Sequence, residues 1–353
     1  YARNERVVGP ASAPPATNER PRLILHLGAT KTGSTLLQHL LEDNRAELLR
    51  AGIWYPEVGL FWQEDRPHKQ AGHARFMEAA DSGAPELRQH ILDGLALMKG
   101  RIHTIILSSE AFFLNPKSLS LPGYFDDFPT EMVVYLRRQD EWANSQYAEF
   151  VAGGAMNAKK SRFSSWLQEE ETQTCLDYDR LIREWEKLLP KNALHIRRYQ
   201  RVRGGNWSIT DDFAETTGLP EISALPAPLQ QKQNDARLSA AHVELVRQFN
   251  KRPFPSRKAY LNFIEDVVSG LNAWRRAQGL PMPGPWFLTE ETADTIMAQA
   301  APGNNRIARD YFGLPSGEAL FPPRAKPPAD CPVHLAEFDI VETAYAARKR
   351  GPR

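Results

Sequence analysis

The stretch Arg22 to Leu41, "RLILHLGATKTGSTLLQHLL", joins a short apolar run to a helix-spaced run through a loop that carries Gly28 and Gly33. An apolar run without alternation suits a strand buried on both faces, and Leu36, Leu37, Leu40 and Leu41 repeat at helical spacing. Strand, glycine turn and helix in that order open a parallel βαβ unit. The pattern then recurs. "GIWYP" reads as a second strand and "APELRQHILDGLALMKG" as a helix with a glycine stop. "RIHTIILSSE" (Arg101 to Glu110) and "TEMVVYLRR" (Thr130 to Arg138) read as central strands, the latter feeding the helical "QDEWANSQYAEFVAGG". Alternation of this kind predicts an α/β fold for residues 22–155, an open parallel sheet flanked by helices on both faces. From Phe163 the pattern is mostly helical. One further strand, "ALHIRRYQ" (Ala193 to Gln200), and proline-rich connections near Leu225–Pro228 and Pro281–Pro285 interrupt it. The helical C-terminal half, 156–345, is expected to pack on the sheet and wall a cleft at the strands' carboxyl ends. Residues 1–21 and 346–353 read as tails, so 22–345 is taken as one domain.

Composition narrows the partners. The chain has 353 residues with 44 Lys+Arg against 43 Asp+Glu, a net charge of +1, so no global field advertises nucleic acid or an anionic membrane. Any anion site must be local. Cys175 and Cys331 are too few for a disulfide framework, which fits a reducing, cytoplasmic setting, and no apolar stretch approaches the roughly 20 residues of a membrane span.

The loop is where an anion belongs. A turn from strand to helix aims unpaired N–H groups and the positive end of the helix dipole at one point, with Gly33, Ser34 and Thr35 as donors. The alternative is a tight turn with Ser34 and Thr35 acting as caps. An ATP-binding loop places its lysine directly after the second glycine, whereas here Ser34 stands there and Lys31 lies inside the loop.

The order Lys31, Thr32, Gly33, Ser34, Thr35 resembles the 5′-phosphosulfate loop of sulfotransferases that use 3′-phosphoadenosine 5′-phosphosulfate (PAPS), roughly Lys-x-Gly-[Ser/Thr]-[Ser/Thr]. "VVYLRRQDEWANSQY" is similar to that family's 3′-phosphate site, with Arg137 at a strand end and Ser145 eight residues later. The resemblance is closest to bacterial sulfotransferases of polysaccharide modification, through "TKTGSTLLQ", "GIWYP", "LSSE" and "YLRRQ", and it implies a P-loop-like sheet. It also implies PAPS as donor, the 3′,5′-bisphosphate as product, no metal, and a hydroxyl acceptor on a carbohydrate. Peptide tyrosine, lipid-linked glycan and small phenol stay open as acceptors, as does oligomeric state. By the same resemblance Lys31 stabilises the bridging oxygen and Tyr199 contacts adenine. Cytosolic members carry a tryptophan where this chain has Leu36, and the family's Arg-Lys-Gly phosphate motif has no counterpart. "NNRIARDYFG" looks like a late segment of such proteins, without assigned chemistry.

The acceptor needs a base, which in relatives is a histidine or glutamate. Glu110, after "TIILSS", is the first candidate, with a pKa expected to be raised under Phe112 and Phe113. Glu57, His73 and His68 follow it. Each site residue has a plainer reading: Arg137 as an ion pair with Asp140 or Glu141, Ser145 as a solvated helix position, Glu110 as a cap. Arg138 competes with Arg137. Arg197, Arg198, Arg201 and Arg203 read as extra anion contacts or as a solvated strand end. His26 reads as a packed core histidine, and His68 with His73 as a poor metal pair. Trp54, Tyr55, Phe61 and Trp62 read as a sugar-stacking wall or as core. The rival functions are a P-loop nucleotide kinase or NTPase, and a non-catalytic nucleotide-binding protein.

Overall fold

The strands expected from the sequence form one parallel sheet in the order β2-β3-β1-β4-β5. They are β1 (Arg22–Leu27), β2 (Ile53–Trp54), β3 (Thr104–Ser109), β4 (Thr130–Leu136) and β5 (Leu194–Arg198). The structure is a computed structural model that describes residues 20–28, 31–61, 71–152, 158–200, 207–228, 238–281, 284–324 and 331–349. In the first half the helices are α1 (Ser34–Asp43), α2 (Arg45–Arg50), α3 (Arg75–Ser82), α4 (Glu86–Met98), α5 (Leu121–Tyr124) and α6 (Gln139–Ala152). In the second they are α7 (Phe163–Leu167), α8 (Glu170–Leu176), α9 (Tyr178–Glu186), α10 (Ile209–Thr217), α11 (Ala240–Phe249), α12 (Arg257–Ala277), α13 (Glu290–Phe312) and α14 (Leu335–Lys349).

Strand alternation sends β1 side chains to two cores. Ile24, with Ile106, Val133 and Tyr135, packs against Leu37, Leu40 and Leu41 of α1 and Phe213 of α10. Leu23, Leu25 and Leu27 face Phe76 of α3, Ile91 of α4, Trp185 of α9 and Ile307 of α13. Because β1 lies between β3 and β4, the chain passes to one side after β1 and to the other after β3. The carboxyl end of β1 is therefore the switch point at which open α/β sheets take ligands.

Two details depart from the sequence reading. Helical spacing continues through Leu48 and Leu49 to a stop at Gly52, which predicts one helix after the loop, yet the helix breaks at Asn44. The Asn44 side-chain amide donates to the Leu40 carbonyl at 2.8 Å and to the Pro226 carbonyl at 3.1 Å. A short amide side chain competing for backbone groups ends helices in this way. Nor does the whole second half pack on the sheet. α9, α10 and α13 do, but α11, α12 and α14 build a third core with Trp142, Tyr147 and Val151 of α6. That core closes over a buried ion network, in which Glu337 accepts from Arg275 at 3.0 Å, His242 at 2.9 Å and the His334 N–H at 2.8 Å. With several donors on one carboxylate, the buried charge is compensated.

"NNRIARDYFG" now has a role. Asn304 and Gln139 exchange reciprocal amide bonds of 2.8 and 3.1 Å, while Arg306 pairs with Asp179 and, at 2.7 Å, with Glu186, which also accepts from Tyr311. The segment staples α13 to α9 and to the first turn of α6. At the termini, residues 1–19 and 350–353 lie outside the described residues, and α14 runs to Lys349, past the boundary expected at 345. Among the described residues no helix is long and apolar enough to cross a membrane.

Candidate functional site

The loop after β1 is described at its two ends; Ala29 and Thr30 lie outside the described residues. Gly28 extends the sheet by one bond, its N–H donating to the Ser109 carbonyl at 3.0 Å. A Cβ there would stand 2.3 Å from Ser34 Oγ and 3.1 Å from the Cα of Glu110, so only glycine lets α1, β1 and β3 meet this closely. Lys31 (φ 68°) and Gly33 (φ 84°) both sit in the left-handed region. For glycine this is easy. For lysine it costs on the order of 1 kcal/mol, a strain found where backbone N–H groups are curled toward a ligand.

Ser34 opens α1, which has no side-chain cap, and its buried hydroxyl has no hydrogen-bond partner among the described residues. A helix N-terminus with an orphaned hydroxyl and a lysine beside it suits an anion with several acceptor oxygens. Thr35 points elsewhere, its hydroxyl donating to Glu110 Oε1 at 2.9 Å.

Helix α6 brings the second set of residues. Arg137 stands just before it and donates through Nη1 to the Lys31 carbonyl at 3.3 Å and through Nε to Glu141 at 3.1 Å. Tyr178 fixes the Arg137 carbonyl at 2.9 Å. Lys31 Nζ is 2.7 Å from Glu149 Oε2. Ser145, half-buried, lies one helical turn from each acid. The ion pair weighed as the plain reading of Arg137 is thus present, with Glu141, and so is a contact to the loop. Arg138 is occupied with Asp140 at 3.0 Å.

Tyr199 completes the group, since a Cβ on Gly33 would meet Tyr199 Cε2 at 3.3 Å and Ile209 Cδ1 at 3.2 Å. Its ring meets Trp207 edge-on, centroids 5.5 Å apart, and the Trp207 indole donates to Asp212 at 3.3 Å. Burial works against ionising Asp212, yet the bidentate Arg197 pair, with Tyr135 and Trp207, outweighs it and holds the carboxyl below its usual range. The sequence reading missed Trp207 and Asp212. A tryptophan five residues before an aspartate at a helix start gives no periodic signal. Glu149 was missed too, although the four-residue ladder Arg137, Glu141, Ser145, Glu149 is visible in the sequence.

Other candidates fall elsewhere. His73 is fully buried, with both ring nitrogens engaged: Nδ1 accepts from the Ser108 N–H at 3.1 Å and Nε2 donates to the Pro56 carbonyl at 2.9 Å. Its own N–H reaches the Ser108 carbonyl at 2.7 Å, so His73 takes the place of a strand partner after β2 has ended. Burial pushes its imidazole down to about 4. His26 is a core histidine, as expected, bonded to Ser108 Oγ at 2.7 Å and pushed down to about 3 by burial. Glu57 is largely exposed, 3.9 Å from Arg45. Phe112 and Phe113 are spent in the core while Glu110 is half-buried, so the apolar cover expected over that carboxylate is taken up by packing. Arg197 is used by Asp212, and Arg198 by the Leu320 carbonyl at 3.2 Å and the Phe312 ring, which removes both as free anion contacts. Tyr55 is buried and Trp54 packs on Gly94 of α4, so neither forms a sugar wall. Trp62, His68, Arg201 and Arg203 lie outside the described residues.

No family model matches the chain. A curated protein of Archaeoglobus fulgidus, described as uncharacterised, is 23% identical over 211 residues, 59% of this chain, and the match spans about half (54%) of that protein's length. Two solved structures are similar at a TM-score of 0.36. One is a sulfotransferase from Alicyclobacillus acidocaldarius, with 15% identity, covering 73% of this chain and 100% of that one. The other is the sulfotransferase domain from the curacin biosynthetic pathway, with 14% identity, covering 79% of this chain and 97% of that one.

Proposed function

We propose that this chain moves a sulfuryl group from PAPS to an acceptor hydroxyl, with a carbohydrate as the acceptor that the sequence resemblance favours. The observation that carries the reading is a convergence. Lys31 and Arg137, 106 positions apart in the chain, meet at the loop after β1, where Arg137 Nη1 bonds the Lys31 carbonyl at 3.3 Å. The orphaned Ser34 hydroxyl and the glycine-shaped turn fit the 5′ end of such a donor, and Arg137 with Ser145 fits a second phosphate. Tyr199, beside Gly33 and edge-on to Trp207, supports an aromatic contact for the adenine ring in this reading.

When bound, the donor supplies an activated sulfuryl group. The residues do the rest. As the acceptor oxygen attacks sulfur, Glu110 takes its proton, and Lys31 offsets the charge that develops on the bridging oxygen as the S–O bond breaks. Thr35 orients Glu110 through its 2.9 Å bond. A kinase reading would want the lysine where Ser34 stands.

Calorimetry tests this. Adenosine 3′,5′-bisphosphate should bind more tightly than ATP with magnesium, and tighter ATP binding would favour the kinase reading. Arg137→Ala should weaken the bisphosphate about ten- to hundredfold, as for a lost hydrogen bond to a charged group. Adenosine 5′-phosphosulfate, which lacks the 3′-phosphate, should lose far less; equal losses would take Arg137 away from the 3′ end. Radiolabelled donor offered to glycans and peptides would identify the acceptor.

A further inference from the structure

Glu141, Ser145 and Glu149 recur every four residues and so share one face of α6, and Arg137, four positions before Glu141 and just ahead of the helix, continues the series. The two cations assigned to the ligand's anionic ends are both already paired with acids of that face: Arg137 with Glu141 at 3.1 Å and Lys31 with Glu149 at 2.7 Å. Four charges cancel there. The acids cannot be turned away by rotating the helix, because its other side buries Trp142, Tyr147 and Val151 in the core. Only side-chain rotation releases them, and the side chains of Lys31 (33% exposed) and Glu149 (30%) are close enough to water for the released carboxylate to be hydrated.

The geometry points to Glu149 as the specificity-determining counter-ion of the loop: an internal anion that occupies Lys31 until a stronger one displaces it, with Glu141 acting likewise on Arg137. The inference rests on the loop being an anion site, and it deepens the proposed function. A singly charged carboxylate on a flexible side chain loses to a phosphate or phosphosulfate, which is also met by backbone N–H groups, the α1 dipole and Ser34. Weak anions cannot make the exchange. A ligand with an anion at one end only can displace one acid and must bind beside the other, so the ladder favours a ligand charged at both ends.

The test is calorimetry on the full chain with two probes, adenosine 3′,5′-bisphosphate and inorganic pyrophosphate, comparing wild type with Glu149→Gln and Glu149→Ala. Removing the internal competitor should tighten both probes about three- to tenfold, the range of a partly exposed ion pair plus the repulsion removed. With PAPS, the KM for donor should fall while kcat is kept. Unchanged or weaker binding in both variants would overturn the inference, since the pair would then be a support for the loop. So would a hundredfold loss of kcat at unchanged affinity, which would make Glu149 the base. If the variants bind pyrophosphate more tightly while wild type prefers ATP with magnesium to the bisphosphate, the counter-ion role stands and the sulfuryl-transfer reading falls. If wild type prefers the bisphosphate and neither variant gains affinity, the reverse holds.

Discussion

At the scale of residues, chemistry and packing make separable demands on the loop. Glu110 accepts from Thr35 and sits at the carboxyl end of β3. Glu110→Gln keeps its shape and most of its hydrogen bonding but removes its basicity. Turnover should fall by about 10²- to 10⁴-fold, the usual loss with a general base, while calorimetry shows bisphosphate affinity retained. Glu57→Gln, changing an exposed side chain, should stay within about threefold of wild type on the scale of surface substitutions. If Glu57→Gln is inactive and Glu110→Gln is not, the base has been misassigned. Gly28 makes the other demand. Gly28→Ala forces a methyl to within 2.3 Å of Ser34 Oγ, so a shift of the β1–α1 junction is expected, costing about 1–3 kcal/mol. Urea unfolding should show the loss, and bisphosphate binding should weaken with it because Ser34 moves.

At the scale of elements, the site depends on α6 being held by both its neighbours and its start. The amides of Gln139 and Asn304 satisfy each other in a buried place, at 2.8 and 3.1 Å, and fix the first turn of α6 to α13. Asn304→Ala leaves the Gln139 amide unsatisfied. A loss of about 1–3 kcal/mol is expected in thermal or urea unfolding. A double-mutant cycle with Gln139→Ala should recover part of it, because removing both partners leaves no orphaned amide. Additive losses would mean the two side chains act independently. Legibility at this scale was uneven. The strands and α6 announced themselves through apolar runs and a strand-end arginine. The break at Asn44 did not, because whether an amide side chain captures the Leu40 carbonyl depends on the Pro226 carbonyl, 182 positions away, offering it a second partner.

At the scale of the whole molecule, buried neutral histidines tie stability to pH. His73 and His26 are pushed from an ordinary 6.5 down to about 4 and about 3 by burial. Between those values and 6.5 the unfolded chain binds more protons than the folded one, so stability rises with pH in that window. The contribution is complete above about pH 6.5 and is lost as pH falls toward 4. For His73 it amounts to on the order of 3 kcal/mol, from about 1.4 kcal/mol per unit. Asp212, Glu131 and Glu337 have carboxyls held below their usual range, and their loss on acidification acts in the same direction. Urea midpoints measured from pH 8 to 4 should therefore fall below about pH 6.5. His73→Gln should be less stable at neutral pH and show a shallower slope. A midpoint flat down to pH 4.5 would contradict the burial of both rings.

The strands, the parallel α/β arrangement and the loop are legible from the chain alone, because each is written in local signals: apolar runs for buried strands, helical spacing, and a lysine placed among glycine and hydroxyl residues. It also held the ladder from Arg137 to Glu149, since four-residue spacing is a property of the chain alone. What those side chains do depends on contacts made only in the folded chain. Whether Lys31 faces Glu149, whether His73 is a base or a strand partner, and whether Arg197 greets a ligand or clamps Asp212 depend on segments distant in the chain meeting after collapse. Charge and hydrogen-bonding capacity are inherited from the residue type. The partner that uses them up is set by packing, which no local pattern records.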